Sequence, residues 1–312
     1  MPVRTDYSRR HPDARSLARS SLRFADAQEQ ASALSGWNQD YLQLSAGAFE
    51  GELAQVEGAG IKLFVERVQQ SVLQTGYLPR GVLALGVPLN ASGGGMFCGR
   101  SCDVHSLHVF SGSQGFEFRT SRQHTMLGLE LQLGEQLGLQ LQAGALTQGP
   151  RHQAHIKHYV MELYQSARCD PTLLSKPAVV ASIRDFLLDQ LLHSAPAPDH
   201  QAGTANAHWA LVQRAVVLVN AVADSAPTVT QLCLELGVSR RTLQNAFVRV
   251  LDIGPLAYVK AVRLKQARLA LKNAHSVTEA ATACGFWHFG HFAHDYQTLF
   301  GERPSDTLKR QD

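Results

Sequence analysis

The chain has 312 residues, enough for two ordinary domains and too many for one small module. Apolar residues make up 45% and charged residues 18%, which excludes a largely disordered chain. The net charge of +3 is modest, yet residues 206–312 carry 12 Lys/Arg against 8 Asp/Glu, while residues 1–205 carry 17 against 18. A basic C-terminal third on a neutral body points to a polyanion partner for that third alone.

In chain order, residues 1–30 read as a solvated arm. Arg4, Arg9, Arg10, Arg15 and Arg19 are interrupted by Asp6, Asp13 and Asp26, and no apolar core of a secretory signal is present. Residues 31–195 read as one unit. Up to about residue 135, short apolar runs such as Ile61-Lys62-Leu63-Phe64-Val65 and Val82-Leu83-Ala84-Leu85 lie between closely spaced glycines. Many short strands at such spacing predict a sandwich or barrel. The texture then becomes helical: Ile156, Tyr159, Val160 and Leu163 share one face, as do Val180, Ile183, Leu187 and Leu191. Pro196, Pro198 and Gly203 mark a linker at 196–206, and residues 207–312 read as helix after helix. The expected class is α+β, a β-rich N-terminal domain with packing helices joined to an all-α C-terminal domain.

Two function classes lose ground here. The longest uncharged stretch, Gly81 to Gly99, is broken by Pro88 and by Gly93–Gly95, so it is not a membrane helix. Five scattered cysteines do not make a disulfide framework, and the cytoplasm is the expected compartment. Neither a phosphate loop nor a nucleophile elbow occurs, so no catalytic residue is assigned. Cys98, Cys102, His105 and His108 lie within eleven residues, but strand alternation sends the two histidines to opposite faces. No metal ligand is assigned either.

The C-terminal third repeats itself. Val229-Thr230-Gln231 recurs as Val277-Thr278-Glu279 and Gly237 as Gly285, both at an offset of 48. Past the glycine the offset becomes 49, pairing Leu243 with Phe292, Phe247 with Tyr296 and Pro255 with Pro304. Each copy is a helix, a glycine turn and a second helix, the helix-turn-helix pattern. The motifs fall at about 229–250 and 277–300. Between them a helix at 255–272, opened by Pro255, spans about 27 Å. Successive major grooves on one face lie roughly 34 Å apart, so one rod can hold two readers in register.

With Ser239 as cap, 100° per residue turns Leu243, Ala246, Phe247 and Val250 inward and Arg241, Gln244, Asn245 and Val248 outward. That outward face offers an arginine for guanine, amides for adenine and an apolar group for a thymine methyl. Arg240 and Arg249 flank it and suit phosphates. In the second motif Phe292, Tyr296 and Leu299 turn inward. Gly290, His291, His294 and Thr298 face out, with His288 at the helix start. A neutral imidazole lacks the guanidinium fork, so this reader is expected to specify less.

Several of these segments carry a resemblance. Leu236-Gly237-Val238-Ser239-Arg240-Arg241-Thr242-Leu243-Gln244-Asn245-Ala246-Phe247, Cys284-Gly285-Phe286 and Phe300-Gly301-Glu302-Arg303-Pro304-Ser305 resemble the two-motif DNA-binding domain of AraC/XylS transcription regulators. Within that family, Gly285-Phe286-Trp287-His288, Asp295-Tyr296-Gln297, Gly36-Trp37 and Gly47-Ala48-Phe49-Glu50-Gly51-Glu52 are similar to activators of ethanolamine-utilisation operons. The family often has a basic residue where His294 stands and Phe where Tyr296 stands.

The resemblance implies an activator that binds promoter DNA and RNA polymerase, and a homodimer for which the helices at 151–194 are the candidate surface. It implies ethanolamine with adenosylcobalamin as effectors. Trp37, Tyr41 and Phe49 are candidate pocket aromatics. Asp103-Val104-His105 resembles the start of a cobalamin-binding motif, but His108 stands where that motif needs glycine. Two alternatives stay open: a regulator of the same type with another effector, and a metal-dependent enzyme or metal sensor tethered to a DNA-binding tail.

Overall fold

The computed structural model describes residues 19–112, 115–134, 144–145, 150–192, 202–221 and 227–310. The chain begins with strand β1 (Arg19–Phe24), helix α1 (Ala27–Ala33), β2 (Asn38–Gln43), β3 (Gly51–Gly58), β4 (Ile61–Val68) and β5 (Val72–Tyr77). It continues through β6 (Val82–Ser92), β7 (Gly95–Phe97), β8 (Arg100–Cys102), β9 (His108–Ser111), β10 (Gly115–Arg119), β11 (Arg122–Gln132) and β12 (Gly144–Ala145). Helices α2 (Pro150–Cys169) and α3 (Pro177–Leu192) close this domain. The helical domain comprises α4 (Ala202–Asn220), α5 (Val229–Leu236), α6 (Arg240–Leu251), α7 (Pro255–Leu271), α8 (Val277–Ala283), α9 (Phe289–Phe300) and α10 (Pro304–Lys309).

The strands form two sheets, ordered β1-β3-β4-β11-β6-β9-β12 and β2-β5-β10-β7-β8. Their described pairings are antiparallel throughout. Alternation along each strand supplies two apolar faces. Ala84, Phe110 and Met126 of the larger sheet meet Phe97, Phe116 and Phe118 of the smaller one, and that is the inside of the sandwich. On the outer face, Leu63, Leu85, Leu127 and Leu129 pack against Ile156, Val160, Leu163, Ile183 and Leu187. The larger sheet is therefore buried on both sides, which is why the central strand β11 is buried without alternation from Met126 to Leu131.

Three expectations change here. Residues 19–30 are not an arm: β1 pairs with β3 from Arg19↔Val56 to Phe24↔Gly51, and Asp26 caps a helix whose Ala27, Gln30 and Ala31 are buried. The preceding residues 1–18 lie outside the described residues. Helix α4 starts at Ala202, inside the segment read as a linker; residues 196–201 are outside the described ones. Finally, the apolar faces of α2 and α3 are covered by the chain's own larger sheet.

The two domains share a core. Leu42 and Leu44, at and beyond the end of β2, and Leu73 of β5 join Leu232, Leu243 and Phe247 of the helical domain in one buried cluster. Beside it, one face of α7 carries Lys265, Arg268 and Lys272, which pair with Asp40, Asp26 and Glu29 of the β-domain. The Arg268–Asp26 pair is the buried one, both side chains being 8% exposed.

Candidate nucleic-acid interface

The first motif is set by its caps. The Thr228 hydroxyl accepts from the Gln231 backbone while the Gln231 side chain accepts from Thr228 N–H, a reciprocal box that starts α5. Gly237 ends it in the left-handed region, φ 67° and ψ 34°, and Ser239 starts α6 by accepting from Thr242 N–H at 3.1 Å. A Cβ at Gly237 would meet nothing within 4 Å, so the only cost of a side chain is backbone strain. Gly237→Ala is expected to lower unfolding free energy by roughly 1–2 kcal/mol, read as the shift of a urea midpoint. An unshifted midpoint would mean that this turn re-forms without the left-handed residue.

The outward face of α6 has the predicted polarity. Leu243, Ala246, Phe247 and Val250 are buried, and Arg240, Arg241, Gln244, Asn245, Val248 and Arg249 are exposed. The Arg240, Arg241 and Arg249 guanidinium groups make no hydrogen bond or ion pair with another described residue. Three guanidinium charges are thus left for an outside anion. The Gln244 amide lies over the α6–α7 turn, where a Cβ at Gly254 would come within 2.9 Å of it.

The second motif is held from α7. Lys260 pairs with Asp295 of α9 at 2.9 Å, and the Arg263 guanidinium stacks 4.3 Å over Phe286 while donating to the carbonyls of Cys284 and Gly285. Phe292 and Tyr296 are buried and Leu299 partly so; Gly290, His291, His294 and Thr298 are exposed. His288 is the N-cap, is exposed, and makes no capping hydrogen bond. Trp287, 73% exposed, and Phe289, 43% exposed, flank it. The sequence reading passed over both. The signal was available: two large aromatics standing at the start of a helix, where a cap and polar residues are the rule.

The candidate pocket aromatics do not converge. Trp37 sits edge-on among Phe64, Phe110 and Phe116 and donates its indole N–H to Glu130 Oε2 at 2.6 Å. Glu130 also pairs with Lys62 at 3.2 Å. Tyr41 and Phe49 lie together elsewhere, beside α1, with the Tyr41 hydroxyl 2.6 Å from Glu66 Oε1. They line a cavity of about 20 Å³ between the domains, shared with Asp26, Lys265 and Arg268, which is room for one water.

Nor do the cysteine and histidine residues near position 100 gather. His105 is exposed on a turn, while His108 is fully buried and stacked on Phe97 at 4.5 Å. Burial pushes His108 down to about 3, helped by His124 and Lys157, and pushes His124 down to about 4. Burial likewise raises the Cys98 thiol to about 11 and the Cys102 thiol to about 12. Such neutral groups behave as core. Among the described residues no three of His, Cys, Asp or Glu come together as metal ligands would. No described helix is long and apolar enough to cross a membrane.

Residues 232–310 match the family described as "Helix-turn-helix domain". The chain is 38% identical over 103 residues to the probable thc operon regulatory protein of Rhodococcus erythropolis, covering 32% of this chain and 31% of that one. It is 39% identical over 77 residues to the XylDLEGF operon transcriptional activator of Pseudomonas putida, 23% and 24% of the two chains. Among solved structures, the AraC-like transcriptional activator CuxR is similar over 80% of this chain and 95% of its own, at 18% identity and a TM-score of 0.45. The match spans less than a third of the length of either of these two curated relatives.

Proposed function

We propose that the chain is a sequence-specific DNA-binding transcription regulator of the AraC/XylS kind, an activator whose helical domain reads promoter DNA under control of a small molecule. One observation carries it. Arg240, Arg241 and Arg249 stand uncompensated beside Asn245 and Val248 on an exposed face whose reverse side is fully buried. A merely structural helix has no reason to concentrate unpaired guanidinium groups there, whereas phosphates and guanine edges need them. The similarity to a probable operon regulatory protein and to an operon transcriptional activator supports the reading.

Arg241→Ala is expected to cost about 1–3 kcal/mol of operator affinity and to relax preference at one base pair. Arg249→Ala is expected to weaken all sequences alike and lower the salt slope by about one. Gel-shift titrations at several salt concentrations measure both. Unchanged affinity in Arg241→Ala would remove the reader assignment.

The effector is a separate question. A saturable rise in melting temperature with ethanolamine would extend the narrower resemblance to the β-domain. The segment Asp103–His108 does not fit the cobalamin-binding motif that it resembles. Asp103, where that motif would start, is engaged with the N–H groups of His105 and Ser106, and buried His108 occupies the place of the required glycine. Pairing of two copies on adjacent half-sites, with contact to RNA polymerase, completes the reading; light scattering with and without operator DNA tests the pairing.

A further inference from the structure

Each reader helix ends with carbonyls that lack partners within the helix, and these carry partial negative charge. In both readers the missing donors come from the β-domain. Arg119, the last residue of β10, donates its Nε–H to Val250 O in the last turn of α6 at 2.9 Å. Gln43, the last residue of β2, places Nε2 2.6 Å from Leu299 O in the last turn of α9. Gly47 N–H adds bonds to Thr298 O and Leu299 O at 3.1 and 3.2 Å.

These grips are close to one another and rigidly related. Strands β2 and β10 both pair with β5, where Gln43 stands opposite Val72 and Arg119 opposite Leu73. They therefore flank one strand at nearly the same level, two strand spacings or roughly 10 Å apart. Leu73 lies between them and is buried in the core shared by the two domains. The approach at the second grip is tight. Gly301 has φ 72°, and a Cβ there would lie 2.5 Å from Ala48 N.

We propose that the smaller sheet is a two-point clamp on the readers: Arg119 and Gln43 are positioning residues that fix the distance and angle between α6 and α9, and so fix which spacing of base-pair segments the protein accepts. The proposal rests on the DNA-reading assignment. The helix α7 joins the two motifs and packs against both, holding the second through Lys260 and Arg263. A grip on the far end of each reader adds a second, independent point of attachment. Because Arg241 and Gln244 lie toward the opposite end of a 12-residue helix, about 18 Å long, a small pivot at the C-terminus displaces them by a few ångströms. Adding one base pair between two segments moves them about 3.4 Å apart and rotates one by about 35°, so a clamped pair must reject it.

The test uses the full chain and a site selected from random duplexes by the wild-type protein. Affinity is measured on that site and on versions with one base pair added or removed between the two recognised segments. Wild type is expected to lose about tenfold or more with either change. In Arg119→Met/Gln43→Leu the loss is expected to shrink to about threefold or less, while Arg119→Lys, which keeps a cation at the helix end, retains most of the discrimination. A general loss of stability would lower affinity for all three duplexes together and leave their ratio alone. If the double variant fails to fold by circular dichroism, the two single variants decide the same ratio. Folded variants that keep the wild-type ratio overturn the clamp. If wild type selects no sequence at all, the DNA-reading assignment fails first, and the clamp with it.

Discussion

Replacing Arg268 by methionine is expected to lower unfolding free energy by about 3–5 kcal/mol, because it strips a buried charge from its partners. The guanidinium pairs with Asp26, lies 2.7 Å from Glu302, and stacks 4.6 Å over Phe300. Methionine keeps much of the volume and none of the charge. Both carboxylates stay behind, with Asp26 as buried as before. Urea denaturation measures the loss, and a change below about 1 kcal/mol would show that water reaches the pair.

The same pair predicts a pH dependence whose sign is fixed. Burial alone would raise the Asp26 carboxyl, but the Arg268 guanidinium, the Glu29 backbone N–H and Lys272 outweigh it and hold it below its usual value of 3.8. A carboxyl depressed in the folded state stabilises above its unfolded value and loses that contribution as pH falls through the folded one. Wild type should therefore lose stability below about pH 4. In Arg268→Met the burial effect is no longer opposed by the guanidinium, and protonation of Asp26 relieves the variant. The gap between the two proteins should narrow as pH drops, and a gap independent of pH would assign the loss to packing.

Phe247→Ala is the second large effect, expected at about 3–5 kcal/mol. The ring is fully buried, sits edge-on to Tyr258 at 5.5 Å, and belongs to the cluster that contains Leu42, Leu44 and Leu73. A cavity there loosens α6 from both its own domain and the neighbouring sheet. The readout is one shifted unfolding transition with an unchanged denaturant slope. Two transitions would mean that the shared cluster does not couple the domains.

Much of the helical domain was legible because its signals are local. The repeat of Val-Thr and glycine at offsets of 48 and 49, the Ser239 cap, and the 3.6-residue spacing of Leu243, Ala246, Phe247 and Val250 all act within one or two turns. The two-layer character of the β-domain was legible from its short apolar runs. What escaped was non-local. Arg19-Ser20-Ser21-Leu22-Arg23-Phe24 alone looks solvated, and becomes a strand only when β3 lies beside it. The apolar faces at 151–194 announced burial without naming the partner, which is the sheet of the same chain. Asp26 and Arg268 are 242 positions apart, and no spacing rule links them. Arg119 and Gln43 likewise carry no sign of the helix ends they hold. Trp37, Tyr41 and Phe49 were grouped by residue type, while the fold carries the first to one core and the other two to another.

The shared core of Leu42, Leu44 and Leu73 with α5 and α6 also bears on modular engineering. Helices joined to a sensor only by a flexible tether can be transplanted onto another sensor like a plug. Here the receiving host would have to supply three leucines on two neighbouring strands, and an acidic trio to match Lys265, Arg268 and Lys272. A chimera cut at the tether alone would present that apolar patch to water and tend to aggregate. The smaller sheet and the helices packed on it therefore form one unit, and a swap that parts them gives up the shared core.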